Sequence, residues 1–185
     1  EAIEGLSLVV ALALVSTLEK FDIRGAGIKW PNDIYYEGRK LAGILLEMSG
    51  EASGPCHIVI GIGMNVNMSR HSGEDSEAKI DQPWIDLSEI IGSTVSRNRL
   101  AAVLLENLLE TLDVFEQYGF AHLRSHWQEY DVLYEKNVNV SDMKGIRQGV
   151  AKGIDASGAL LVDTASGLQR VLSGDVSVRL ARESI

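Results

Sequence analysis

The sequence is poor in cysteine and in basic residues, and both shortages exclude classes of protein. Its 185 residues include one cysteine, Cys56, so no internal disulfide can form, which favours a reducing cytoplasm. Lysine and arginine number 17 against 26 aspartate and glutamate residues, which gives a net charge of −9. Because a phosphate backbone is bound by clustered cations, nucleic acid is not an expected partner of this chain. A basic pocket for a single nucleotide is still compatible with this charge.

Long apolar runs are also scarce. The only one extends from Leu6 to Leu18, and it is shorter than the ~20 residues that cross a bilayer. Glu1 and Glu4 precede it, where a signal peptide would have basic residues. We therefore expect no membrane association and a first helix that is buried in a core. The chain begins without methionine at the approach to this helix, which predicts a fragment of a longer protein.

Short strands with tight turns are predicted after the first helix. A strand begins at Ile28 and ends at Pro31, and Ile34–Tyr36 and Lys40–Met48 form a hairpin around Glu37-Gly38-Arg39. A further strand is predicted from His57 to Asn67. Successive short strands of this kind predict an antiparallel meander.

The middle of the chain is predicted to be helical. Asp86-Leu87-Ser88-Glu89 has the spacing of a capping box and opens a short helix. Leucines that recur every three or four residues predict a longer helix from Ser96 to about Tyr118, and Phe120 to Tyr130 forms another. The polar stretch from Ser69 to Pro83 is predicted to be a binding loop or disordered.

The last part of the chain changes to short β-branched runs between glycine turns, from Asn137 to Arg182. Four or five strands in so short a stretch predict a small β-barrel. With a boundary near Leu133, the sequence predicts two domains, 1–133 and 134–185. The fold class is α+β: a mixed, largely antiparallel sheet flanked by helices, followed by the barrel.

Two glycines in the predicted strand from His57 to Asn67 indicate a close approach to the backbone. Period two places Gly61, Gly63 and Asn65 on one face and the isoleucines on the other. The bare face can form a floor for a ligand, with the Asn65 amide at its end to contact a ring nitrogen and an exocyclic amine. Tight packing of a helix against the glycines is an equally weighted alternative.

Lys40 and Asp33 are the candidate catalytic pair. Activation of a carboxylate by ATP requires a cation where negative charge develops, and a neighbouring carboxylate can orient that cation, hold Mg²⁺ or take a proton from an amine. A solvated surface ion pair is the commoner explanation of such a pair. Strand parity places Lys40 and Gly43 on opposite faces unless the strand contains a bulge.

Other candidate groups are assigned to ordinary packing. Trp30 is predicted to be a core residue, because a large ring is more often buried than stacked on a ligand. His122 and His126 are four residues apart, but no further ligand accompanies them, so a zinc site is not expected.

Three motifs in this order resemble the catalytic core of the biotin protein ligases: Lys29-Trp30-Pro31-Asn32-Asp33, Arg39-Lys40-Leu41-Ala42-Gly43 and Gly61-Ile62-Gly63-Met64-Asn65. The resemblance extends over nearly the whole chain from Gly5. It implies a fold like that of biotin ligases and class II aminoacyl-tRNA synthetases, followed by an SH3-like domain. It also implies that biotin and ATP form biotinyl-5′-AMP, with Mg²⁺, before biotin passes to a lysine of a biotin carboxyl carrier domain.

The resemblance also implies roles for individual residues. Lys40 would contact the biotin carboxyl and the α-phosphate region, and Asp33 and Asn32 would shape the nucleotide end, with Asp33 as a weak candidate for Mg²⁺. Asn65 would contact adenine, and the loop before Trp84 would close over the adenylate. The substrate-binding residues expected from the resemblance are Lys29, Asn32, Lys40, Gly43, Gly61, Gly63, Asn65, Trp84 and Arg179.

The family's glycine- and arginine-rich loop is expected upstream of Glu1, so we predict little ligase activity for this chain alone. A lipoate-ligase-like enzyme that also adenylates a carboxylate is one alternative. A non-catalytic biotin-sensing module is another, because exposed edge strands can pair with a second copy or with the carrier protein.

Overall fold

The computed structural model describes residues 5–50, 56–68, 82–143, 145–174 and 176–181. Most of the predicted loop from Ser69 to Pro83 therefore lies outside the described residues. The helices are α1 (Leu6–Lys20), α2 (Leu87–Ile91), α3 (Arg97–Tyr118) and α4 (Phe120–Gln128). The strands are β1 (Ala26–Lys29), β2 (Asp33–Tyr36), β3 (Arg39–Gly50), β4 (Cys56–Met64), β5 (Asn137–Asp142), β6 (Gly145–Ile154), β7 (Leu160–Thr164), β8 (Gly167–Val171) and β9 (Ser177–Leu180).

The first sheet is the predicted antiparallel meander, with the order β1-β2-β3-β4. Its central hairpin has a two-residue turn, in which Glu37 and Gly38 have φ angles of 48° and 73°. Positive φ at both turn positions matches the right-handed twist of the flanking strands. The turn thus brings the start of β3, with Lys40, beside the end of β2.

Helix α1 lies in the core, as its apolar sequence predicts. Eleven of its side chains are buried, including Val9, Val10 and Leu14. The polar exception is Thr17, which accepts a hydrogen bond from Asn107 of α3 at 3.1 Å. In the described residues no helix is long and apolar enough to cross a membrane.

The predicted cap of α2 and the bounds of α3 are confirmed, whereas α4 ends at Gln128, two residues before the predicted Tyr130. The Asp86 carboxylate accepts the backbone N–H of Glu89 at 2.8 Å, and Gly92 ends α2 in the left-handed conformation. Ser96 caps α3, which ends at Gly119. In α4 the Trp127 side chain is fully buried.

The second sheet contains five antiparallel strands in the order β8-β7-β6-β5-β9. Its inward side chains are β-branched or aliphatic and buried, which confirms the fold class predicted for this part of the chain. In the described ranges the ladders do not include a pairing of β8 with β9.

The two sheets meet around Trp30 and β1. The Trp30 side chain is buried as predicted, and its Nε1 donates a hydrogen bond to Gly158 O at 2.9 Å. On the outer edge of β1, Ile28 exchanges backbone hydrogen bonds with Tyr130 and Val132. The domain boundary near Leu133 stays a prediction.

Candidate active site

The predicted pair of charged residues comes together in the first sheet. Lys40 Nζ lies 2.6 Å from Asp33 Oδ1, and the two side chains are 28% and 15% exposed. Both are therefore more protected than a solvated surface pair. The carboxylate fixes the direction of the ammonium while the Lys40 side chain stays partly exposed.

A bulge in β3 resolves the parity problem between Lys40 and Gly43. Tyr35 pairs with Lys40 whereas Ile34 pairs with Ala42, so Leu41 is the extra residue. Beyond the bulge, Gly43 faces the same side as Lys40. A Cβ added at Gly43 would lie 3.2 Å from Lys40 Nζ and 3.3 Å from Asp33 Oδ1. Glycine at this position leaves room for the ion pair.

The remaining glycines form an open floor beside that pair. Gly43 pairs with Gly63, and a Cβ at Gly63 or Gly61 would meet only backbone or Leu45 at 3.4 Å or more. Within the described part of the chain no helix covers these glycines, so the helix-packing alternative is wrong there. Leu45 and Val59 on the same face are about 60% exposed. The isoleucines of β4 pack on the opposite face against the core, which confirms the predicted parity.

Asn65 and Trp84 lie at the end of the floor. With Lys40, Gly43 and Gly63, they line a cavity of about 180 Å³. Asn65 Nδ2 donates to Lys40 O at 3.3 Å and to Ile85 O at 3.1 Å. Both amide hydrogens are thus in use, and the predicted two-point contact with a purine would require one of them to be released.

The segment that carries Trp84 runs parallel to the start of β3. Lys40 N donates to Pro83 O at 2.9 Å, and Ile85 N donates to Lys40 O at 3.0 Å. Trp84 is half-buried beside Lys40. This contact positions one end of the predicted loop next to the charged pair.

Asn32 binds mainly to the backbone of β3. Its Nδ2 donates to Ile44 O at 2.8 Å, and its own carbonyl accepts Ile44 N at 2.8 Å. These bonds fix the entry to β2 and therefore the position of Asp33. The side-chain oxygen Oδ1 of Asn32 is the atom left for a ligand contact.

A second cavity, of about 660 Å³, lies between the two sheets and is lined by Lys29, Tyr35, Lys136 and Arg179 among others. Lys29 Nζ lies 5.2 Å from the Tyr35 ring centroid. Burial lowers the pKa of Lys29, and the charges of Lys40 and Arg179 lower it further, while Asp33 opposes them. This cavity between the sheets, called the junction cavity below, has basic side chains in its lining and can therefore bind an anionic group.

Sequence reasoning missed three residues of this junction. Tyr35 lies two residues after Asp33, so strand period alone could have placed both on one face. Gln82, whose Oε1 accepts the Tyr35 hydroxyl at 3.3 Å, and Lys136 give no local signal. They come to the cavity through long-range contacts.

The described residues do not form a metal centre of their own. In these ranges no three side chains of His, Cys, Asp or Glu come together. Asp33 supplies a single carboxylate, and its Oδ1 already pairs with Lys40. The His122 ring is tilted against the Tyr118 ring, and the His126 ring lies edge-on to the Tyr130 ring.

Comparison with known families gives two matches along the sequence. Residues 1–65 match the model described as the biotin/lipoate A/B protein ligase family. Residues 135–179 match the biotin protein ligase C-terminal domain. The two matches lie on the first and the second sheet, respectively.

Individual relatives extend this similarity over nearly the whole chain. The chain is 37% identical over 179 residues to the bifunctional ligase/repressor BirA of Escherichia coli, covering 97% of this chain and 54% of that protein. It is 30% identical over 173 residues to the biotin--[acetyl-CoA-carboxylase] ligase of Paracoccus denitrificans, covering 92% of this chain and 71% of that protein. The chain thus spans about half the length of the first curated relatives it matches.

A solved structure has the same arrangement of elements. The biotin protein ligase from Aquifex aeolicus in complex with biotin and ATP superimposes with a TM-score of 0.83 at 28% identity. The match covers 97% of this chain and 72% of that one. Both sheets are therefore included in the similarity.

Proposed function

This chain belongs to the biotin protein ligase family, and from that premise we propose that the whole protein forms biotinyl-5′-AMP from biotin and ATP. In the second half-reaction it transfers the biotinyl group to a lysine of a biotin carboxyl carrier domain. The observation that carries the proposal is the Lys40–Asp33 pair held above the glycine floor, with a basic cavity beside it.

Lys40 is assigned to the first half-reaction. A biotin carboxylate oxygen attacks the α-phosphorus, the phosphoanhydride bond breaks, and pyrophosphate leaves. Negative charge grows on the phosphoryl oxygens during this step, so a fixed cation lowers its barrier. The ion pair with Asp33 keeps the ammonium pointed at the floor and reduces the reorganisation needed in the reaction.

Asp33 is assigned to orientation of Lys40 and to the second half-reaction. The carrier lysine must lose a proton before its amine attacks the acyl carbon and releases AMP. A carboxylate at this position can accept that proton. The same carboxylate is a weak candidate for contact with Mg²⁺; the described residues add no second carboxylate, so phosphate oxygens would supply most of the metal's ligands.

The floor and the second cavity are assigned to the two substrates. Gly43, Gly61 and Gly63 leave a bare surface on which biotin and the adenylate can lie, and Trp84 provides an aromatic wall. Lys29 and Arg179 suit the phosphates of ATP, because both are cations that line the junction cavity. In the part of the chain that the structure describes, the side-chain bonds of Asn32 and Asn65 use Nδ2, so we assign their Oδ1 atoms as acceptors at the nucleotide end.

The binding partners that we propose are inferred from the family and from the edge strand of the first sheet. The carrier domain is the proposed protein substrate, and strand β4 is the edge at which it or a second copy could add a strand. The Escherichia coli relative is named a ligase and repressor. With a net charge of −9, we propose that this chain itself does not bind nucleic acid and that the protein acts in the cytoplasm.

The test uses the full-length protein with ATP, Mg²⁺ and either biotin or lipoate. We expect pyrophosphate release with biotin, followed by biotin-dependent labelling of a carrier domain at a single lysine. Faster pyrophosphate release with lipoate would reassign the substrate. Absence of release with both acids, from a folded protein, would refute the adenylation proposal.

A further inference from the structure

The Asp86 carboxylate divides its two oxygens between two parts of the chain. Its Oδ1 accepts the backbone N–H of Glu89 and the hydroxyl of Ser88, both at 2.8 Å, and so caps helix α2. Its Oδ2 accepts the backbone N–H of Met68 at 2.7 Å, 18 residues earlier in the sequence. One oxygen thus serves the helix, and the other joins α2 to the segment that follows β4.

The cap does not by itself require a carboxylate at this position. Asparagine or serine would cap the helix about as well, because each has one suitable oxygen. The bond to Met68 needs the second oxygen. Burial opposes ionisation, but hydrogen bonds from Glu89, Ser88 and Met68 outweigh it and hold the pKa of Asp86 below its ordinary value, so both oxygens are acceptors. Asp86 is only 3% exposed, so water does not readily replace a bond that it loses.

The bond to Met68 extends a set of contacts between the end of β4 and the segment that carries Trp84. Leu87 N donates to Asn65 O at 3.1 Å, and the Asp86 carboxylate adds the bond to Met68 beyond it. Asn65 and Trp84 both line the cavity of about 180 Å³ at the end of the floor. Because Trp84 precedes Asp86 by two residues, loss of the bond would let the indole move relative to the floor.

We propose that Asp86 is a positioning residue for nucleotide binding, which sets the place of Trp84 over the floor through its bond to Met68. The inference rests on the proposed adenylation function. Asp86 is not among the described residues that line the cavity, so it acts through Trp84 and contacts no substrate itself. Its removal should therefore weaken binding of the nucleotide and leave the chemical step at Lys40 intact.

Asp86→Asn separates the two oxygens in the full-length protein. Asparagine keeps one oxygen for the cap but turns an amide nitrogen, which cannot accept a hydrogen bond, towards Met68 N. We expect KM for ATP to rise about five- to tenfold, while kcat and KM for biotin change by less than about twofold. Asp86→Ser has a single cap oxygen and should show the same rise, which covers the case of a rotated asparagine amide.

Asp155→Asn is the matched control on the second sheet. Asp155 Oδ1 closes a local turn by accepting Ser157 N at 2.9 Å and Ala159 N at 3.1 Å, and its Oδ2 accepts Arg170 Nε at 2.5 Å. The same substitution thus keeps a local oxygen and removes one long-range bond, away from the floor. It should leave KM for ATP unchanged, whatever its effect on the melting temperature. Equal KM for ATP in the Asp86 and Asp155 variants would overturn the inference.

A double variant tests the route through Trp84. If Asp86 acts through that indole, adding Asp86→Asn to Trp84→Ala should raise KM for ATP no further than Trp84→Ala alone. Additive increases would contradict the inference, and so would a fall of kcat in Asp86→Asn with KM for ATP unchanged. An inactive wild type would instead refute the proposed function itself.

Discussion

The two sheets are both antiparallel, yet they use glycine in opposite ways. In the second sheet a Cβ added at Gly149 would lie 2.4 Å from Asp163 O, so that glycine permits close packing. In the first sheet, additions at Gly61 and Gly63 would meet nothing closer than 3.4 Å. The same residue type thus serves packing in one sheet and an open floor in the other. A glycine-rich strand indicates a binding surface only when the space above it is free.

The largest expected effect is from removal of the cation above the floor. Lys40→Ala should lower adenylate formation by about 100- to 1000-fold, because it removes the charge that stabilises the transition state. Pyrophosphate release is the measurement, and circular dichroism checks the fold. Lys152→Ala is the control, since Lys152 forms an ion pair with Glu135 at 2.8 Å on the second sheet. Equal activity of the two variants would remove Lys40 from the mechanism.

Matched glycine substitutions test the comparison directly. Gly43→Ala places a methyl group about 3.2 Å from Lys40 Nζ, so we expect adenylation to fall about tenfold with little change in stability. Gly149→Ala clashes with backbone and should lower the free energy of unfolding by about 1–3 kcal/mol with normal kcat in the folded fraction. Chemical denaturation and pyrophosphate release on both variants measure the two effects. Loss of stability in Gly43→Ala together with loss of adenylation in Gly149→Ala would show that the two glycines have been assigned the wrong roles.

Arg179 tests whether the second sheet takes part in nucleotide binding. Arg179→Ala should raise KM for ATP by about five- to tenfold, as expected for loss of one charged contact with phosphate, and change KM for biotin little. Arg170→Ala is the matched control, because Arg170 binds Asp155 and Ser157 and does not line the junction cavity. Equal KM values for ATP in both variants would assign the cavity to another ligand.

The smallest expected effect concerns the carboxyl group at the junction of the sheets. Burial raises the pKa of Asp131 to about 6, and among the described residues its Oδ2 has no hydrogen-bond partner. Between pH 4 and 6 the folded protein therefore binds more protons than the unfolded chain, and the free energy of unfolding falls as the pH rises. Asp131→Asn should abolish this fall. Its free energy of unfolding should exceed that of the wild type by about 1 kcal/mol at pH 7 and equal it near pH 4. Urea denaturation at both pH values measures it; an identical pH dependence of variant and wild type would contradict it.

Local sequence signals predicted much of the fold. The Asp86 cap, the turn at Glu37-Gly38 and the leucine stripe of α3 each depend on neighbouring residues, and each is confirmed. The alternation in β4 was also sufficient to separate the glycine face from the core face. These features need no knowledge of distant parts of the chain.

The details of the site depend on distant contacts and were not predictable. The bulge at Leu41 arises from the pairing of β3 with β2, and no residue type within β3 indicates it. The backbone acceptors of Asn65, one of them Ile85 O, also lie on other segments of the chain. Lys136 reaches the junction cavity only through the docking of the second sheet.

The Trp30 indole links the second sheet to the turn that precedes Asp33. Trp30 donates to Gly158 O, while Lys29 precedes it and Asp33 follows three residues later. The second sheet therefore supports this turn. A displacement of the sheet would move the backbone before Asp33 and change the distance between Asp33 and Lys40. We expect a mutation on that sheet that displaces Gly158 to lower the proposed adenylation activity without contacting a substrate.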